Sequence, residues 1–230
     1  MSGILYGVGV GPGDPKQMTY LAVETIVNSD VIAVPAEGKD SAVSYMIASG
    51  IVPDIDKKEC LNLSTPMTKD KKVLQENYTK AAEKIIELLE EGKDVAYLTL
   101  GDPTIYSTYI YIHRIVGERG YETKIINGIP SFCAVAAKLN DSLCDRSEQL
   151  HIIPSSYDIE EGLEMKGNKI LMKAASKLNV VKETLQNKNI ECHMVENCGM
   201  PDERIHHGTD QMPEKGSYYT IVVINEREND

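Results

Sequence analysis

Tryptophan is absent from this 230-residue chain and phenylalanine occurs once, so twelve tyrosines supply nearly all of its aromatic surface. Long apolar runs are missing too: nothing approaches the ~20 residues a helix needs to span a bilayer. Met1-Ser2-Gly3 leads directly into Ile4-Leu5-Tyr6-Gly7-Val8, without the basic segment that opens a secretory leader. The five cysteines, at 60, 133, 144, 192 and 198, form no CxxC pair and leave an odd one. That pattern excludes a disulfide framework and offers no zinc cassette. A reducing, cytoplasmic setting is therefore expected. Basic residues are scarce, 24 Lys+Arg against 35 Asp+Glu, for a net charge of −11. Such an excess argues against nucleic acid or a lipid surface as partner. It still allows an anionic small molecule, provided that basic groups gather where it binds.

What is present is an ordinary globular composition, 42% hydrophobic and 26% charged. Short β-branched runs alternate with helix-period segments throughout, which predicts an α/β protein with mostly parallel or mixed sheets. Strands are expected over 4–10, 31–34, 59–63, 95–100, 122–126, 149–153, 169–173, 191–196 and 218–225. Helices are expected from the loop at 11–15 to about 28, with Met18, Leu21, Ala22, Thr25 and Ile26 inward. Others are expected over 41–48, 70–91, 131–139, 158–164 and 177–187, and from Pro103 to about 117–120. The clearest is 70–91, where Val73, Ala81, Ile85, Leu88 and Leu89 recur at helical spacing and Gly92 stops the helix. Asn127-Gly128-Ile129-Pro130 breaks the rhythm and suggests two α/β domains, residues 1–126 and 127–230. The acidic tail, 225–230, is expected to fray.

Gly7, Gly9, Gly11 and Gly13 alternate where the first strand meets the first helix. A dinucleotide loop works because bare backbone N–H groups and a helix N-terminus meet a pyrophosphate. Here Pro12 and Pro15 each remove a donor, and Asp14 puts negative charge where phosphate would lie. A nicotinamide-dependent oxidoreductase or a plain nucleotide-binding module is thus a minor alternative, beside a tight turn with no ligand. The phosphate-cradling GxxxxGK[ST] pattern is absent.

Two strand-end segments carry more information together. Val8-Gly9-Val10-Gly11-Pro12-Gly13-Asp14-Pro15 and Leu98-Thr99-Leu100-Gly101-Asp102-Pro103-Thr104-Ile105-Tyr106-Ser107-Thr108 resemble the tetrapyrrole methylases, the class III methyltransferases. Asn127-Gly128-Ile129-Pro130-Ser131-Phe132 and Glu196-Asn197-Cys198 extend the likeness over essentially the whole chain. The resemblance implies two α/β domains, S-adenosylmethionine folded in the cleft between them, and a homodimer. It implies that Pro12 borders the cofactor, that Leu100, Gly101, Asp102, Ile105 and Tyr106 line its site, and that Ser131 and Phe132 add to it. Met172, Cys198 and Thr220 fall where family members contact adenine and ribose, with Cys198 in place of a common alanine.

Within the family, Ala33-Val34-Pro35, Ser64-Thr65-Pro66-Met67 and Tyr106-Ser107-Thr108 resemble members that methylate C-20 of precorrin-2 or its cobalt complex in cobalamin synthesis. Siroheme-branch members have an acidic residue near position 35, where this chain has Pro35. Same-fold alternatives act on another corrin precursor, a protein or ribosomal RNA.

Several residues keep two readings. Asp102 is either a catalytic or cofactor-facing carboxylate or a helix N-cap. Tyr106 either faces the cofactor or packs on a helix, and His113 packs or lies at the surface. The proton leaving the methylated carbon goes to Asp102 or to solvent. No resident metal is expected: His206 and His207 would point to opposite faces of a strand, and His193 stands apart in sequence. Lys69-Asp70-Lys71-Lys72 reads as a solvated helix start or a contact for substrate carboxylates.

Overall fold

The computed structural model describes residues 2–36, 38–63, 66, 68, 70–154 and 159–226. Ser64, Thr65, Met67, Lys69, Asp158 and the end of the acidic tail lie outside them. The chain divides into two compact units, Met1–Pro130 and Ser131–Asp230. Asn127 and Gly128, before the division, are hydrogen-bonded to Asp102 of the first unit.

The first unit is built on five strands: β1 (Leu5–Gly9), β2 (Val31–Val34), β3 (Glu59–Asn62), β4 (Val95–Thr99) and β5 (Thr123–Ile126). They pair in the order β3-β2-β4-β1-β5, every pair parallel. All residues of β2 and β4 are buried, as strands covered on both faces must be. Helices α1 (Tyr20–Asn28) and α2 (Val43–Ser49) lie on one face, with Ala22, Ile26 and Ile47 against Val8, Ile32 and Leu98. On the other face α3 (Lys71–Glu90) and α4 (Tyr109–Glu118) pack Ile85, Leu89, Tyr109 and Ile112 against Leu5, Val31 and Tyr97. Each such aliphatic side chain, fully buried, contributes about 1.5–3 kcal/mol. Asp70 starts α3 by accepting from the N–H groups of Lys72 and Val73 at 2.9 and 3.3 Å. Gly92, at φ +81°, follows its end.

Two expectations are corrected here. The first helix begins only at Tyr20, after a 3-10 turn over Pro15–Gln17, and this leaves Leu21 52% exposed rather than inward. Gly7 is required by packing: a Cβ there would lie 2.0 Å from Cε1 of Tyr109.

The second unit contains α5 (Ser131–Leu139), β6 (Leu150–Pro154), α6 (Ile159–Glu164), β7 (Asn168–Met172), α7 (Leu178–Asn187), β8 (His193–Glu196), β9 (Arg204–His207) and β10 (Thr220–Ile224). Its sheet runs β6-β7-β10-β8-β9 and is mixed: only β6 and β7 are parallel. The last strand enters the middle of this sheet, where Val222 and Ile224 meet Leu171, Met194, Val181 and Leu185. Lys169 has no exposed side-chain surface; its ammonium lies 2.6 Å from Glu226 Oε1 and 2.7 Å from the Gly167 carbonyl.

Candidate active site

The ends of β1 and β4 are joined beyond the regular sheet. Val10 N–H donates to Thr99 O at 3.0 Å, and Gly11 and Gly101 exchange hydrogen bonds, 3.2 and 2.8 Å, as an isolated bridge. Both glycines have left-handed φ, +76° and +69°, which an L side chain rarely adopts. Gly128, after β5, completes the knot: a Cβ on it would lie 2.2 Å from Gly101 O, and one on Gly9 would lie 2.6 Å from both Gly101 O and Gly128 N. β1 and β4 are neighbours, yet the chain leaves β1 toward the α1 face and β4 toward the α4 face. Connections diverge there, and open α/β sheets bind ligands at the carboxyl ends of strands at such a point.

Asp102 sits at the centre of the knot, 5% exposed. It accepts from Thr104 N at 2.7 Å, from Thr104 Oγ1, from Asn127 Nδ2 at 3.1 Å and from Gly128 N at 3.0 Å. Burial is the largest influence on its carboxyl and would raise the pKa. The four donors outweigh it and hold the group below the usual carboxylate range. A carboxylate so engaged is a weak base that ties the loop after β4 to the loop after β5.

The expected helix does not follow at Pro103. Residues 103–108 form a turn, and α4 starts at Tyr109. Ser107 Oγ accepts from Tyr109 N at 3.2 Å and lies 2.9 Å from Thr99 Oγ1, so it, rather than Asp102, serves the helix start. Tyr106 adopts φ +48° in this turn and is 49% exposed, so it is not packed on a helix face. Leu100 and Ile105 are half-buried beside it, and Pro12 is buried. Asp14 accepts from Lys16 N at 2.9 Å and opens the 3-10 turn at Pro15. The glycine loop thus leads into a 3-10 turn over Pro15–Gln17, and α1 starts only at Tyr20.

In the second unit, Met172 ends β7, Glu196 ends β8 and Thr220 begins β10. The pairings Met172 to Ile221 and Glu196 to Thr220 put them at one end of the sheet. Glu196, 4% exposed, accepts from Ser217 N at 2.7 Å and lies 3.0 Å from His206 Nε2. Ser217 donates from Oγ to Asn197 Oδ1 at 2.8 Å, and Thr220 donates to Ser217 O at 2.6 Å. Asn197, at φ +50°, donates to Asp202 Oδ2 at 2.7 Å. Glu203 accepts from Gly199 N at 2.6 Å and pairs with Lys138 of α5 at 3.0 Å. Cys198 is buried, and burial together with Glu203 pushes its thiol up to about 11. It is thus a neutral, compact, buried side chain. Ser131 and Phe132 open α5, the former half-buried and the latter 7% exposed.

Thr104, Ser107 and Asn127 stand in the family-like motifs without a role assigned to them there, and Ser217 carries no signal in the sequence. Among the described residues no group of three or more His, Cys, Asp or Glu is arranged to hold a metal ion.

Over residues 4–211 the chain matches the tetrapyrrole (corrin/porphyrin) methylases. A relative from Methanocaldococcus jannaschii, named "Probable cobalt-precorrin-2 C(20)-methyltransferase", is 41% identical over 184 residues, 77% of this chain and 76% of that protein. The cobalt-precorrin-2 C(20)-methyltransferase of Salmonella typhimurium is 27% identical across 99% of this chain and 98% of its own. Among solved structures, a cobalt precorrin-4 methyltransferase shares the fold with TM-score 0.74 at 18% identity, over 96% of this chain and 94% of that one. The uroporphyrin-III C-methyl transferase of Thermus thermophilus complexed with S-adenosylhomocysteine gives 0.70 at 15%, over 97% and 98%. The chain therefore belongs to the tetrapyrrole methylase family.

Proposed function

We propose that the protein transfers a methyl group from S-adenosylmethionine to C-20 of precorrin-2 or of its cobalt complex, in cobalamin biosynthesis. The glycine-bridged loops at the carboxyl ends of β1 and β4 carry this reading. Residues 7–13 and 99–108 contain no lysine or arginine, and their one charged side chain is Asp102. A fixed negative charge with no lysine or arginine beside it suits a sulfonium zwitterion better than a pyrophosphate. The similarity to C(20)-methyltransferases across most of the chain supports the choice of substrate.

When bound, S-adenosylmethionine supplies a methyl group already activated for in-line displacement, so positioning carries most of the catalysis. In this reading Pro12, Leu100, Gly101, Ile105 and Tyr106 hold the cofactor from the first unit. The second unit's own candidates for cofactor contact are Ser131, Phe132, Met172, Cys198 and Thr220. Asp102 holds the loops and presents charge to the cofactor. Its oxygens are taken, so the proton released from the methylated carbon passes to solvent. Cobalt, where present, arrives inside the substrate.

The protein works as a cytoplasmic homodimer on a small tetrapyrrole, without nucleic acid or membrane. A net charge of −11 supports the former absence. Among the described residues, no helix is long and apolar enough to cross a membrane. The test is calorimetric binding of S-adenosylmethionine, then labelled methyl transfer to precorrin-2 and to its cobalt complex, read as a product heavier by one methyl group. Cofactor binding with neither tetrapyrrole methylated overturns the substrate. Thermal protection by NAD but not by S-adenosylmethionine overturns the cofactor.

A further inference from the structure

We infer that His193 and His207 form a two-imidazole site for a borderline divalent first-row metal ion, Zn2+ being the simplest probe. The adjacent pair His206 and His207 cannot share an ion, since His206 turns toward Glu196 on the opposite face of β9. The needed geometry arises across strands instead. β8 and β9 pair antiparallel with His193 directly opposite His207. Their rings meet at 75° with centroids 5.2 Å apart, and the two Nδ1 atoms are 3.3 Å apart.

That separation is the argument. Two nitrogens bound tetrahedrally at about 2.0–2.1 Å from zinc are themselves separated by about 3.3–3.4 Å. The pair is thus already at bite distance, and neither strand has to move. A contact between two Nδ1 atoms also requires at least one to be an unprotonated acceptor, the form that ligates metal. His207 is exposed and His193 half-buried, so an ion and its waters can reach them. Burial and the neighbouring His207 ring lower the pKa of His193, with the carboxylates of Asp141 and Glu191 opposing them only in part. Gln211 Oε1 accepts from His207 N at 3.2 Å and steadies that backbone. Imidazole selects Zn2+, Ni2+, Cu2+ or Co2+ over Mg2+ and Ca2+. With two protein ligands, water or an incoming donor completes the shell. His193 begins β8, whereas Glu196 and Cys198 lie at and beyond its other end, so this pair is separate from the residues assigned to the cofactor.

Titration of the whole chain with ZnCl2 in a non-coordinating buffer, followed by calorimetry, should give one Zn2+ per chain. His193→Gln and His207→Gln should each weaken binding by at least about tenfold, and His151→Gln should leave it unchanged. MgCl2 should give no comparable heat. Crystals soaked in ZnCl2 should show an anomalous peak between the two Nδ1 atoms, a result independent of any variant. No zinc binding, equal binding by both glutamine variants, or a peak elsewhere would overturn the site.

Discussion

Asp102 commits both carboxylate oxygens to donors of its own chain, and its chemistry follows from that. Asp102→Asn turns one acceptor into a donor that faces other donors. It should cost about 1–3 kcal/mol, read by urea unfolding, and should abolish measurable S-adenosylmethionine affinity. The pH dependence has a definite sign. The folded pKa lies below the unfolded value of about 3.9, so the stabilisation is complete above that value and is lost as pH falls through the folded one. The stability gap between wild type and Asp102→Asn should therefore narrow below about pH 4; a gap that widened in acid would contradict the assignment. Tyr97 presents the opposite case. It is 1% exposed, and its hydroxyl has no hydrogen-bond partner among the described residues. Tyr97→Phe removes an unpaired polar atom and should leave stability unchanged or raise it by up to about 1 kcal/mol, measured by thermal unfolding.

At the scale of elements, the loops depend on glycine for room rather than for flexibility. Gly128→Ala places a Cβ against the Gly101 carbonyl and should destabilise by about 1–3 kcal/mol while loosening cofactor binding. Gly117→Ala is the contrast: its nearest neighbour would be Thr123 Oγ1 at 3.7 Å, inside α4. That change should stabilise by about 0.5–1 kcal/mol; urea titrations of the two variants should move in opposite directions. Which elements the sequence discloses follows the same physics. α3 was legible because apolar periodicity and end signals agreed, and β1, β2 and β4 because they are almost wholly buried. β9 escaped notice: Arg204-Ile205-His206-His207 has one β-branched residue, and its pairing with β8 is a tertiary fact. The start of α4 was misplaced because Asp-Pro usually opens a helix, whereas here Asp102 is claimed by Asn127 and Gly128, distant in sequence. The strand–helix rhythm implied mostly parallel or mixed sheets, and the second unit holds the mixed one, with β10 antiparallel between β7 and β8.

For the molecule as a whole, ligand linkage tests the proposed cofactor without reference to any one residue. A ligand bound only to the folded state should raise the unfolding temperature as its concentration rises. At a hundred times its dissociation constant it contributes about 2.7 kcal/mol. A melt unaffected by saturating S-adenosylmethionine would contradict the cofactor assignment. The strand order of the first unit also bears on how the chain comes into being. β1 leaves the ribosome well before its neighbours, β4 and β5, with Leu5 opposite Val95 and Thr123. One edge of this apolar strand stays open until Thr99 has been made and the other until Ile126, and contacts so distant in sequence form slowly. During synthesis, the segment that will carry the first glycine loop is therefore the nascent chain's most aggregation-exposed part, and a natural client for a holding chaperone.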